Sequence, residues 1–289
     1  MQAGEQTRAR IPAETVRAGR RRGDSGGNVS MLGSLGAATV SRLRGVGYLA
    51  AMIAATLRLA VRRGTWRRTT RRALAEQIVE AGVRAMGVVM LLAVVVGPLV
   101  DVQARLWLAK FGEEEMIGPF LAVALGGELT PLLINLVLIG RSGASMTAEL
   151  ATMRLAGEVR VLDAQGLDPF ATLVAPRILA LLFSVIPLAM LFLAVAYPAG
   201  WVATALLADA PGTLPQHFAE VARQVPPRAP LAFVAKCLLP ALVTGAVCCR
   251  EAFTIDRVAD VPRATTRAVV GSLAATFLLS AILSTLSYL

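Results

Sequence analysis

The chain of 289 residues is 56% hydrophobic and only 17% charged, with a mean hydropathy of +0.64. That composition excludes an ordinary soluble globular domain and indicates an all-α membrane protein. The formal net charge of +10 does not signal nucleic-acid binding, because sixteen of the 29 Lys and Arg residues precede position 85, ahead of the first long apolar run. By the positive-inside rule this asymmetry predicts a cytoplasmic N-terminus.

Residues 1–35 form a basic tail without the apolar core of a secretory signal and are expected to be disordered. Residues 36–74 follow as an interfacial region. Within it, Arg42, Arg44, Arg58, Arg62 and Arg63 flank an apolar centre over 45–56 that is too short to span a bilayer. The pattern predicts an in-plane amphipathic helix on the cytoplasmic leaflet.

Five spans are then predicted. The first, over 85–100, is long enough only if it continues through Asp101, Gln103 and Arg105 to Trp107 and Leu108, with those polar groups facing protein rather than lipid. The second, 117–140, is interrupted only by Glu128. The third, 178–208, is charge-free, exceeds what a bilayer needs and contains Pro187 and Pro198, which predicts a long, bent helix projecting beyond the membrane. The fourth, 229–249, carries only Lys236, and the fifth, 268–289, carries no charge. This order places 141–177 and 250–267 in the cytoplasm, each with four Arg, and puts 109–116, with Glu113, Glu114 and Glu115, and 209–228 outside, together with the C-terminus. His217 falls in the Pro-rich outer connector and is expected to be a solvated loop residue. Cys237, Cys248 and Cys249 lack metal-site spacing and are expected to be small packing residues, with no metal bound.

The cytoplasmic segment is the least usual part of the chain. Gly143 and Ser145 mark an expected helix start, and Gly166 with Asp168-Pro169 an expected stop. On a helix of 3.6 residues per turn, Met146, Leu150, Met153 and Val161 share one side, and Leu155, Val159 and Leu162 share the other. Between the stripes lie Arg154 with Glu158, and Glu149 with Arg160 and Asp163. Two opposed apolar stripes predict burial on two sides, against the chain's own bundle and against a second protein. Gly157 lies where such a helix would break. Glu128 draws notice for a different reason. A carboxylate near a bilayer midplane costs about 2.5 to 3.5 kcal/mol unless it faces a cavity or a partner, and Arg105 and Lys236 are the candidate partners.

The stretches GRSGASMTAELATMR, GLDPF, VAPRILAL and, near the end, PRATTRAVVGSL resemble the MlaE/YrbE-type permeases of Mla and Mce-associated lipid ABC transporters. The resemblance runs from about residue 75 to residue 289. It implies a permease domain over 75–289 with an N-terminal interfacial helix, five spans and a coupling helix between the second and third. It also implies a second permease copy forming a homodimer, a separate ABC ATPase, a periplasmic MCE-domain protein, a phospholipid substrate and a bacterial inner-membrane location. By the same resemblance Val100, Leu108, Phe111, Leu125 and Glu128 are expected to line a lipid cavity; Asp101 and Arg105, polar groups within an apolar span, are additional cavity candidates on their own chemistry. Glu149, Leu150, Arg154, Leu155, Glu158 and Arg160 are expected to contact the ATPase. The sequence departs from the family in GGELTP over 126–131, in Gly157-Glu158, in Asp101 and Arg105, and in the acidic run at 113–115.

The sequence contains no G-x-x-x-x-G-K-[ST] phosphate loop. The chain is therefore expected to bind no cofactor of its own, with ATP used by the partner subunit. Two other classes compete: an intramembrane enzyme using Glu128, Asp101 and Ser142, and a passive membrane anchor for a soluble partner.

Overall fold

The computed structural model describes residue 45 and residues 47–60, 68–207, 213–225 and 227–288. The expected basic tail, the flanks of the interfacial helix and the middle of the outer connector lie outside the described residues. The elements below all belong to one compact unit, Gly47–Leu289.

Helix α1, Gly47–Ala60, is apolar but about 21 Å long, too short to cross a bilayer. It buries Met52 and Thr56, one turn apart, and leaves Tyr48 and Leu57 exposed. A second helix, α2, occupies Arg68–Ala81 and lies against the third span. A single 3-10 turn, Val83–Ala85, joins α2 to α3, Met86–Phe111.

Helix α3 has 26 residues and does run through Asp101 and Arg105. Its buried stripe is Val89, Ala93, Gly97, Asp101 and Ala104, at helical spacing, whereas Leu91, Val95, Leu99 and Trp107 are exposed as lipid-facing residues would be. Gly112, with φ +72, ends the helix in the left-handed conformation that glycine adopts without strain.

Helix α4, Ile117–Leu155, has 39 residues and extends about 58 Å. Here the sequence expectation fails in one respect: no new helix starts at Gly143 or Ser145. The second span and the segment after it are one helix, carried across the boundary by a π-helical stretch, Leu138–Gly143, that keeps the backbone hydrogen-bonded by i→i+5 pairing. A first π-helical stretch, Ala122–Leu129, contains Glu128. Gly157, with φ +81, then breaks the helix, and α5 spans Glu158–Ala164.

Helix α6, Phe170–Leu207, has 38 residues and includes Pro187 and Pro198. It starts eight residues before the apolar run because Asp168 Oδ1 accepts the Phe170 amide, 2.9 Å, and caps the first turn. It is the central post of the fold: Ile178, Leu181, Val185, Leu188 and Phe192 are all 2% exposed or less. Helix α7, Leu214–Arg223, occupies the outer connector; α8, Ala229–Ala252, and α9, Val261–Tyr288, are the last two spans. Among the described residues, the five helices long and apolar enough to span are thus α2–α3, α4, α6, α8 and α9, of which α9 is the least covered.

Two close approaches fix the assembly. A methyl group on Gly97 would overlap the carbonyl of Ala196, so only glycine lets α3 and α6 meet there. In α8, Pro240 has no amide to offer the Lys236 carbonyl one turn back. Asn135 of α4, 1% exposed, brings its Nδ2 to 3.4 Å from that carbonyl while donating to Pro131 O at 2.8 Å. The three cysteines are free and buried in α8.

Candidate functional site

Three spans bring charge together inside the bundle. Lys236 Nζ of α8 donates to Glu128 Oε1 at 2.5 Å, and Ser284 Oγ of α9 donates to Glu128 Oε2 at 2.6 Å. Both carboxylate oxygens are therefore engaged, and α4, α8 and α9 are joined through one side chain. The pair is asymmetric: the Lys236 side chain is 4% exposed and that of Glu128 30%. The ammonium is sealed inside while the carboxylate retains an open side.

Arg105 does not reach Glu128. It pairs along its own helix with Asp101, Nε to Oδ1 3.3 Å, and Asp101 Oδ2 accepts from Thr204 of α6 at 3.4 Å. Arg105 Nη2 also lies 3.4 Å from His217 Nδ1. His217 is a correction to the sequence reading, since it is 7% exposed and helical. Thr213 and Gln216 form a reciprocal capping box that starts α7 inside the Pro-rich connector, and the helix turns His217, Phe218 and Val221 inward. Phe218 meets Tyr197 edge-on at 6.0 Å.

The expected cavity residues do not share one surface of the chain. Val100 and Leu108 are half-buried against Ala104, Leu121 and Val221, and Phe111 is 73% exposed at the last residue of α3. Leu125 is 1% exposed within the main core, so in the single chain it packs rather than lines a cavity. The trio required by an intramembrane enzyme is not assembled. Ser142 lies about 21 Å along α4 from Glu128, among Gln77, Glu80, Glu149 and Arg177.

The coupling segment at the other end of α4 is buried on one side only. Met146, Thr147, Leu150 and Ala151 pack against α8 and α9. The second expected stripe, Leu155, Val159 and Leu162, is half-buried. Leu155 turns partly toward the same core, and Val161, placed with Met146 by a continuous helical wheel, is 56% exposed. The left-handed turn at Gly157 resets the rotation, so the wheel does not carry through it. For the same reason Arg154 does not pair with Glu158. Its Nη2 donates instead to Asp256 Oδ1 at 3.2 Å, in the turn between α8 and α9. Glu149 accepts from Arg177 Nη2 of α6 at 3.4 Å. Glu158 and Arg160 stand on the exposed face of α5.

A family profile described as Permease MlaE matches residues 74–286. The chain belongs to the MlaE permease family. Its relatives include the chloroplastic protein trigalactosyldiacylglycerol 1 of Arabidopsis thaliana, 32% identical over 50% of this chain and 39% of that protein. The intermembrane phospholipid transport system permease protein MlaE of Haemophilus influenzae is 30% identical over 42% of this chain and 47% of its own length. A probable ABC transporter permease protein of Synechocystis is 33% identical over 39% of this chain and 43% of its own. The aligned stretch thus spans less than half the length of each of these relatives.

Within the MlaE architecture, the residues that sequence reasoning missed are Ser284, Asn135, Asp256 and the buried role of His217. Only His217 had a local signal, the Thr213-x-x-Gln216 capping box. The others act through contacts more than 100 residues away in sequence.

Proposed function

We propose that this chain is the membrane-embedded permease of an ABC transporter that moves phospholipid or a related amphiphile, with ATP consumed by a separate ATPase subunit. The family match over 74–286 carries this reading, and the relatives named for phospholipid transport and as ABC transporter permeases support it. In this reading the chain sits in a bacterial inner membrane with its N-terminus cytoplasmic and its C-terminus periplasmic. A second copy completes the permease, and an MCE-domain protein receives or delivers lipid on the periplasmic side.

The geometry suits such a subunit. A helix of about 58 Å that continues from the second span into a coupling segment is one continuous lever, and where that segment is held against the bundle, displacement of its end is delivered to the spans as rigid-body movement. The half-open Glu128, together with Lys236 and Ser284, offers polar contacts for a headgroup, while Val100, Leu108 and Phe111 offer apolar ones for acyl chains. Leu125 would join them only if the second copy or a moving α4 uncovers it.

The test is purification from the native membrane. An ATPase is expected to co-isolate with the chain, and photo-crosslinkers at Leu108 and Phe111 are expected to capture lipid. Isolation without any ATPase, or crosslinkers that react only with protein and water, would overturn the assignment.

A further inference from the structure

Two of the charged side chains that the sequence offered to a motor, Glu149 and Arg154, are already engaged within the chain. Glu149 and Arg154 are five residues apart on α4, so they project about 140° apart around the helix. Each meets a different partner. On one flank, Arg177 at the root of α6 is 5% exposed; its Nη2 reaches Glu149 Oε2 at 3.4 Å and Met153 Sδ at 3.6 Å, while its Nη1 donates to Leu173 O at 3.0 Å. On the other flank, Arg154 Nη2 reaches Asp256 at 3.2 Å. Asp256 lies in the short turn leading into α9. Glu251, at the end of α8, holds Arg267 in the first turns of α9 at 3.4 Å.

Between these flanks runs the apolar stripe of Met146, Leu150 and Ala151. Apolar contact is non-directional and fixes how close the coupling segment lies to the bundle but not its rotation. Charge-assisted hydrogen bonds are directional and do set it, the buried Arg177 more firmly than the pair of Arg154 with Asp256, whose carboxylate is 86% exposed. The π-helical stretch at Leu138–Gly143 lies just above, where backbone pairing departs from the α register and the lever is most readily bent.

We propose that Arg177 and Asp256 are positioning residues that brace the coupling segment from two sides, Arg177 to the third span and Asp256 to the fifth. Displacement of the segment then turns both spans together instead of bending α4 at its π-helical stretch. This inference rests on the proposed transport function and reassigns Glu149 and Arg154 from contacts with the motor to contacts within the permease. The outward surface left for a motor is Thr152, Glu158, Arg160 and Val161.

The experiment uses the permease with its co-isolated ATPase in vesicles of phosphatidylethanolamine and phosphatidylglycerol, following ATP turnover and movement of a fluorescent phospholipid in parallel. Asp256→Arg sets two guanidinium groups against each other. It is expected to leave ATPase co-isolation and turnover within twofold of wild type while lowering lipid moved per ATP at least fivefold. The reversed pair, Arg154→Asp with Asp256→Arg, is expected to restore the ratio to within twofold, and Asp256→Glu to keep it. On the other flank Arg177→Lys is expected to retain more of the ratio than Arg177→Met. Loss of the ATPase from Asp256→Arg would make the turn a docking surface and overturn the brace. Failure of the reversed pair to restore coupling, or an equal fall in turnover and lipid movement, would overturn it as well. A wild-type chain that brings down no ATPase would instead remove the transport reading on which the brace depends.

Discussion

Glu128 and Lys236 are unequal partners, and that inequality makes a sharp prediction. The Lys236 side chain is 4% exposed and that of Glu128 30%, and Glu128 keeps a second donor, Ser284 Oγ at 2.6 Å. Glu128→Gln leaves a sealed ammonium without its counter-charge. Removing one partner of a buried pair costs about 3 to 5 kcal/mol, and the lower end applies because the glutamine carbonyl still accepts one hydrogen bond. Lys236→Met leaves a carboxylate that is one-third open and still bonded to Ser284, so its cost is about 1 kcal/mol, in the range of a single net hydrogen bond. The double variant has no charge to compensate and should lose about 1 kcal/mol, giving a coupling energy of about 3 kcal/mol. Reversible unfolding of the purified chain in mixed micelles by increasing SDS measures all four proteins. The reasoning is refuted if Lys236→Met is as damaging as Glu128→Gln, or if the two losses simply add.

Two further outcomes follow from the packing. Gly97→Leu forces a side chain into the Ala196 carbonyl, which is backbone and does not move aside; α3 and α6 should separate, seen as loss of folded, monodisperse protein, whereas Gly87→Leu, with open space around it, should be tolerated. Thr213→Ala removes the capping box of α7 and should cost about 1 kcal/mol. Hydrogen exchange of the 214–223 amides should then quicken about fivefold, with the amides of α6 unchanged.

Much of the architecture could be read from composition and order alone. The number of spans, the short helix before them and the extension of the first span through Asp101 and Arg105 follow from lengths of apolar sequence, because a bilayer imposes a nearly fixed length on anything that crosses it. The family could be read from GRSGASMTAELATMR and PRATTRAVVGSL, matched by the profile over 74–286. Rotation and pairing could not be read. A helical wheel assumes one axis, and the left-handed turn at Gly157 ended that axis, so Val161 left the side that Met146 and Leu150 share. The helix start expected at Gly143 was absent because π-helical pairing can carry a helix through small residues that would otherwise stop it.

By itself, then, the sequence determined which segments are apolar enough to span and which charges must find partners, since both follow from the energy of transferring each residue out of water. Only the tertiary structure decided who those partners are: Lys236 and Ser284 for Glu128, Arg177 for Glu149, Asp256 for Arg154 and Arg105 for His217. Desolvation is a property of a residue and its local surroundings, whereas pairing depends on which helices lie side by side. That arrangement is set by close approaches such as Gly97 on Ala196, between positions 99 residues apart in the chain.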